Sequence, residues 1–140
     1  MNYLFGTLLA LPAMVVAYRL RPSIQKWFYS VMVVVTASFY VLFAARSDDA
    51  RAMLLEGGVA VAFIAVAILS LRWGSWLVVF AMAAHAVFDV LHPLAIANPG
   101  VPSWWGGFCW TFDVAVAALL ALVIWGRGTP TQRFGPRTAQ

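Results

Sequence analysis

Apolar residues fall along this chain in five long runs separated by short polar links, and that alternation predicts the fold. The runs extend from about Tyr3 to Tyr18, Trp27 to Ala45, Ala52 to Leu71, Trp76 to Ala95 and Trp104 to Trp125. At ~1.5 Å of helical rise per residue, each is long enough, or nearly so, to cross ~30 Å of hydrocarbon. The first is the shortest and carries Pro12 near its middle, a kink that a bundled membrane helix tolerates. The links read RLRPSIQK, RSDDAR, RWGS and NPGVPS. The expectation is an all-α integral membrane bundle of five transmembrane helices over residues 1–125. Residues 126–140, GRGTPTQRFGPRTAQ, read as a disordered basic tail.

Lys and Arg positions then predict orientation. With five spans, Arg19, Arg21, Lys26, Arg72, Arg127, Arg133 and Arg137 fall on one side of the membrane. The other side holds only Arg46 and Arg51, next to Asp48 and Asp49. The positive-inside rule places the N-terminus outside and the C-terminal tail in the cytoplasm, for a multi-pass protein of the cell membrane. Trp27, Trp73, Trp76, Trp104, Trp105 and Trp125 sit near predicted span ends, where tryptophan anchors at the interface. The first run has no basic residue before it and no convincing small-residue cleavage site, so it is expected to be a retained helix.

Composition agrees with this reading. Hydrophobic residues make up 64% of the chain and charged residues 10%, against roughly 25% charged in a typical soluble domain. So few charges cannot cover a soluble surface, and the lipid bilayer is the expected surrounding. The net charge of +4 is assigned to loop arginines that set orientation, not to a nucleic-acid surface. One cysteine, Cys109, excludes an intrachain disulfide and is expected to pack. Gly57, Gly58 and Ala62 on the third helix, and Gly106, Cys109, Asp113, Ala117 and Ala121 on the fifth, are spaced as close-approach positions. The same spacing also arises simply because Ala and Gly are common in membrane helices.

The stretch His85–Asp113 concentrates the chain's chemistry. Depths follow from helical rise: Glu56 lies ~6 Å below the outer end, His92 ~5 Å, Asp89 ~9 Å, Asp113 ~12 Å and His85 ~15 Å. Every ionisable group within a span thus falls in the outer half or at the middle, and the inner half is expected to hold almost no polar group. A charge near the bilayer centre costs ~2.5–3.5 kcal/mol on insertion scales, so such residues pair or carry function. His85, Asp89 and His92 follow the i, i+4, i+7 pattern of one helix face, and Cys109 and Asp113 do so at i, i+4. A polar pocket among the third, fourth and fifth helices is expected, opening outward beneath the NPGVPS link. Asn98 and Pro99 read simply as a turn.

The leading functional expectation is a membrane-embedded acid/base enzyme that isomerises or cyclises a lipid-soluble, isoprenoid- or sterol-like molecule. Asp89 and His85 would be the acid/base pair, and Glu56 and Asp113 would hold the proton balance or bind a polar head. His92, Trp104, Trp105 and Trp110 would line the substrate site, with Trp104 and Trp105 as its rim or lid and tryptophan faces steadying a cationic intermediate. A five-helix membrane protein with a His/carboxylate pair and aromatic walls is similar in outline to the sterol isomerase (EXPERA) families. That resemblance implies the fold and the reaction class; the HxxxDxxH order departs from the pattern expected there.

Other readings stay open. Zinc or iron held by His85, Asp89 and His92 with Glu56 or Asp113 would make a metal-dependent membrane hydrolase, although no cofactor is expected. A small transporter would need an oligomer, such as a homo-oligomer, to complete a path through the apolar inner half. An accessory subunit would use the polar cluster only to hold helices together, with Glu56 reaching Arg51 or Arg46 and His92 capping the helix before Pro93.

Overall fold

The computed structural model describes residues 2–126, which form five α-helices and no strand. They are α1 (Asn2–Arg19), α2 (Pro22–Ser47), α3 (Ala50–Trp73), α4 (Trp76–Ala95) and α5 (Trp105–Gly126). Four of them, α2 to α5, are long and apolar enough to cross a membrane, and α1 is a shorter apolar helix. The expected tail at 126–140 lies outside the described residues apart from Gly126, which ends α5.

The links are tighter than the polar runs suggest, and local chemistry explains each. Pro22 opens α2, where a missing N–H leaves no bond unmade and φ is already helical. Only Asp48 and Asp49 separate α2 from α3: Asp48 turns the chain at φ 54, and the Asp49 carboxylate accepts the Arg51 and Ala52 N–H groups as an N-cap. Gly74, at φ 107, ends α3. Arg46, Arg51, Lys26 and Arg72 therefore lie within helices and not in loops.

The closest helix pairs are α1 with α5, α4 with α5 and α2 with α3, whereas α1 scarcely meets α2. The core is built mostly from small residues, which let backbones pack closely. Its lower part gathers Ala10 and Ala17 of α1, Val33 of α2, Ala67 of α3, Met82 of α4 and Val116 of α5. An upper cluster holds Tyr40, Trp105 and Cys109 against Phe39, Phe43 and Phe88. Outside, large apolar side chains face away from the protein, among them Leu54, Leu94 and Trp125. An apolar exterior around a small-residue core is the pattern of a bundle surrounded by lipid.

Small residues play parts different from those their spacing predicts. Gly57 and Gly58 face open space, where an added Cβ would meet nothing. On α5 the predicted line is inward, with Cys109, Asp113 and Ala117 buried. The tightest helix crossing belongs to Gly6, whose missing side chain leaves room for the Phe108 carbonyl and Thr111 of α5.

Candidate functional site

The polar side chains of the upper half converge on α4. His85, Asp89 and His92 are all buried, as one face of one helix requires. Their partners divide them into two groups. His85 Nδ1 lies 2.6 Å from Asp113 Oδ2 of α5 and 3.6 Å from Asp89 Oδ2 of its own helix. His92 Nε2 lies 2.6 Å from Glu56 Oε1 of α3. The accessory reading's pairing of Glu56 with Arg51 or Arg46 is not what forms, and His92 turns inward instead of capping the helix. Pro93 lies within α4, which continues to Ala95.

Tyr40 joins the two groups. Its hydroxyl donates to Asp89 Oδ1 at 2.8 Å, and its ring stacks on His92 with centroids 4.2 Å apart. The site thus has a wall from α2, an element absent from the predicted pocket. Asn98, read as a simple turn, is also part of it. Its Nδ2 donates to Glu56 Oε1 at 3.0 Å and to the Tyr40 carbonyl at 3.2 Å, while its Oδ1 accepts the Gly100 N–H. Gly100 lies directly against the Phe43 carbonyl, a place with no room for a side chain. The Asn98–Gly100 turn is thereby pinned to α2 and α3 over the cluster.

A cleft of about 790 Å³ opens above these residues. Tyr40, Asp89, His92 and Asn98 form its polar wall. Val90, Tyr3 and Trp110 line its side, and Asp49, Pro99 and Ser103 its outer mouth. Val90 and Tyr3 are each more than half exposed on the lipid-facing surface, so the cleft reaches both sideways and outward. His85, Asp113 and Glu56 do not line it and stand behind Asp89 and His92.

The tryptophans separate. Trp110 lines the cleft and packs edge-on to Tyr3 with centroids 6.3 Å apart. Trp104 is exposed. Trp105 is buried, tilted against Phe39 at 4.7 Å, and is neither an interface anchor nor a rim residue of this cleft. With Cys109 it lines a separate apolar groove of about 410 Å³ between α2 and α5. Bulk decides this: an indole one residue into α5 faces the neighbouring helix and fills the space beside Phe43.

The lower half is less empty than its sequence suggests. Ser30 and Ser70 share a buried 2.8 Å hydrogen bond between α2 and α3, and Gln25 Nε2 donates to the Ala17 carbonyl at 2.8 Å. These groups are neutral and satisfied within the protein, so they serve packing.

Charge and donor geometry bound the chemistry. Glu56, Asp89 and Asp113 are opposed by two imidazoles, with no Lys or Arg ion-pair partner among the described residues. Three protons shared among these five groups would leave the cluster neutral, and burial of unpaired charge is costly. Four of their atoms, Glu56 Oε2, His85 Nε2, Asp89 Oδ2 and Asp113 Oδ1, have no hydrogen-bond partner in the protein. Ligand atoms of His85, Asp89 and Asp113 lie within 4.8 Å of one another, which brings a metal ion into question. Two ligands of one tetrahedral ion, each at ~2.0–2.2 Å, stand ~3.3 Å or more apart. The 2.6 Å between His85 Nδ1 and Asp113 Oδ2 is instead a hydrogen bond, and an ion held by those two atoms would have to open that pair. His92, at the other end of the cluster, is not in that group.

Comparison of the chain with family models, with curated proteins and with solved structures finds no match.

Proposed function

We propose that this protein is a membrane-embedded acid/base enzyme that moves a proton within a lipid-soluble, isoprenoid- or sterol-like substrate, by isomerisation or cyclisation. The observation that carries this reading is the layering of the site. Asp89 and His92 line the cleft, and each is held by a buried hydrogen bond from a neighbouring helix, Asp89 by the Tyr40 hydroxyl of α2 and His92 by Glu56 of α3. Side chains fixed by a second set of buried groups suit proton transfer, because donor and acceptor wait in the geometry they need.

For an isomerisation, the protonated Asp89 carboxyl adds its proton to one alkene carbon. Protonation leaves the positive charge on the other alkene carbon, and His92, whose Nε2 is engaged by Glu56, uses Nδ1 to remove a proton from the next carbon beyond it. The double bond moves by one position, one proton enters as another leaves, and no electron is gained or lost. Water at the cleft mouth returns the proton from His92 to Asp89. His85 and Asp113 act as positioning residues that share the remaining protons of the cluster. The roles thus shift from the sequence expectation, in which His85 met substrate directly: His85 is 1% exposed and lies one turn deeper.

In this proposal α1 is the fifth crossing, the N-terminus is outside, and the cleft faces away from the cytoplasm. Arg19, Lys26 and Arg72, at the end of the bundle remote from the cleft, support that orientation. The hydrocarbon around α4 supplies the substrate sideways, past Val90.

The test is an untargeted lipid comparison in deuterated water. Cells carrying the wild-type protein are expected to accumulate a lipid isomer of unchanged elemental composition with one solvent deuterium on carbon. Cells carrying Asp89→Asn at equal abundance should lack it. Identical lipid and deuterium profiles for the two proteins, both folded, overturn the reading.

A further inference from the structure

We infer that a groove between α1 and α5, at the end of the bundle remote from the cleft, holds an anionic phospholipid: one acyl chain lies in the groove and the phosphate meets Arg19. The inference is independent of the reaction proposed for the cleft and takes from that reading only that α1 crosses the bilayer with α2 to α5.

α1 meets α5 closely at Gly6, and below that crossing a groove of about 490 Å³ runs between the two helices. Met14 is buried in it, Leu119 and Val123 are half-buried, and Leu11 is exposed at its upper end. Tyr18 and Arg19 stand at its lower end. From Leu11 to Arg19 the groove follows α1 for ~12 Å by helical rise. In a bilayer hydrocarbon fills an apolar groove on the outside of a bundle. What the residues decide is the headgroup that stands over it, and the charged residue there is Arg19.

Arg19 has no acid of its own chain to pair with. The chain has five acids, Asp48, Asp49, Glu56, Asp89 and Asp113, and none stands in the lower half of the bundle. Arg21 follows across the link and adds a second cation to the same corner. That corner is fixed by hydrogen bonds. The Leu20 N–H donates to the Ala17 carbonyl at 3.1 Å, and the buried Gln25 amide donates to the same carbonyl at 2.8 Å. The end of a helix repels an anion through its free carbonyls, and here the Ala17 carbonyl is taken up twice. A phosphate supplies the absent counter-charge, and a guanidinium binds it through paired N–H groups. A zwitterionic headgroup brings an ammonium that Arg19 and Arg21 repel, so the corner favours a lipid with net negative charge. Tyr18 places its ring beside Arg19, at the boundary where phenols settle between hydrocarbon and headgroups.

The experiment titrates the purified full chain in detergent with phosphatidylglycerol and with phosphatidylcholine of the same acyl chains, and native mass spectrometry counts the bound lipid. Wild-type protein should hold one phosphatidylglycerol about fivefold more tightly than phosphatidylcholine, the order expected of one basic side chain at a headgroup. Arg19→Gln should lose that preference. Arg72→Gln removes the same charge from the same end of the bundle, on α3 and outside the groove, and should keep it. Val123→Trp fills the groove without touching a charge and should weaken both lipids alike. Equal losses in Arg19→Gln and Arg72→Gln would show a diffuse basic surface in place of a site and overturn the inference, as would phosphatidylglycerol binding undiminished in Val123→Trp. Equal binding of the two lipids by wild-type protein sinks this inference and leaves the enzyme standing.

Discussion

Tyr40 donates its hydroxyl hydrogen to Asp89 across 2.8 Å, and that bond ties α2 to α4 where the two His–carboxylate groups meet. Its removal leaves both carboxylate oxygens of Asp89 without a hydrogen-bond partner, because Oδ2 already has none. An unsatisfied buried acceptor costs about 1–3 kcal/mol. Tyr40→Phe keeps the ring stacked on His92 and should lower thermal stability in detergent by that order, with expression retained. A melting temperature equal to that of wild type would show that Asp89 finds another donor and that Tyr40 is only packing.

Much of this architecture is legible in the sequence because hydropathy and helix periodicity report on solvent. Five apolar runs give five helices, and the i, i+4, i+7 spacing puts His85, Asp89 and His92 on one buried face. What periodicity cannot report is which helix supplies the opposite partner. Tyr40 lies in a run of apolar neighbours and looks like core until a carboxylate on α4 is found beside it. Asn98 carries every mark of a turn, since it is a turn, and only the fold shows its amide reaching Glu56. Trp105 shows the converse: its place at a span end suggests an interface anchor, but the neighbouring Phe39 and Phe43 bury it.

Asn98 is the residue that couples the link to the cluster, and its amide is matched to a carboxylate. Asn98→Asp changes little in volume but sets a second acid beside Glu56 where a 3.0 Å hydrogen bond stood. The Asn98→Ala change removes the donor and leaves Glu56 its bond to His92. The order of stability should therefore be wild type, then Asn98→Ala, then Asn98→Asp, each step of order 1 kcal/mol or more. Thermal unfolding at neutral pH checks it. Asp tolerated better than Ala would mean that the added acid is met by a proton or cation at no cost.

Hydrogen-bond spacing between His85 and Asp113 predicts the metal content. Elemental analysis of the purified protein should find neither zinc nor iron in stoichiometric amount, because the pair closes at 2.6 Å and not at the separation of two ligands. One equivalent of metal that disappears in His85→Ala would instead show that an ion opens the pair. The proposed acid/base roles of Asp89 and His92 would then give way to metal-assisted chemistry.

Glycine substitutions separate the crossing that shapes the cleft from those that face lipid. At Gly6 a methyl group would run into the Phe108 carbonyl and Thr111 of α5, and backbone cannot yield as a flexible side chain can. Overpacking of this kind costs about 1–3 kcal/mol. At Gly57 the same methyl meets open space, and the only term left is helix propensity, which favours Ala by ~0.5–1 kcal/mol. Gly57→Ala should thus be neutral or slightly stabilising, and Gly6→Ala destabilising. The position of Gly6 gives the second change a functional signature. Tyr3 lies one turn away on α1, its ring packed against Gly107 and lining the cleft. A methyl that pushes α1 off α5 draws Tyr3 outward and widens the side exit, so Gly6→Ala should weaken binding of any amphiphile in the cleft while Gly57→Ala leaves it unchanged. Equal stability and equal binding in the two variants would show that α1 shifts along α5 without strain, and would remove it from the wall of the site.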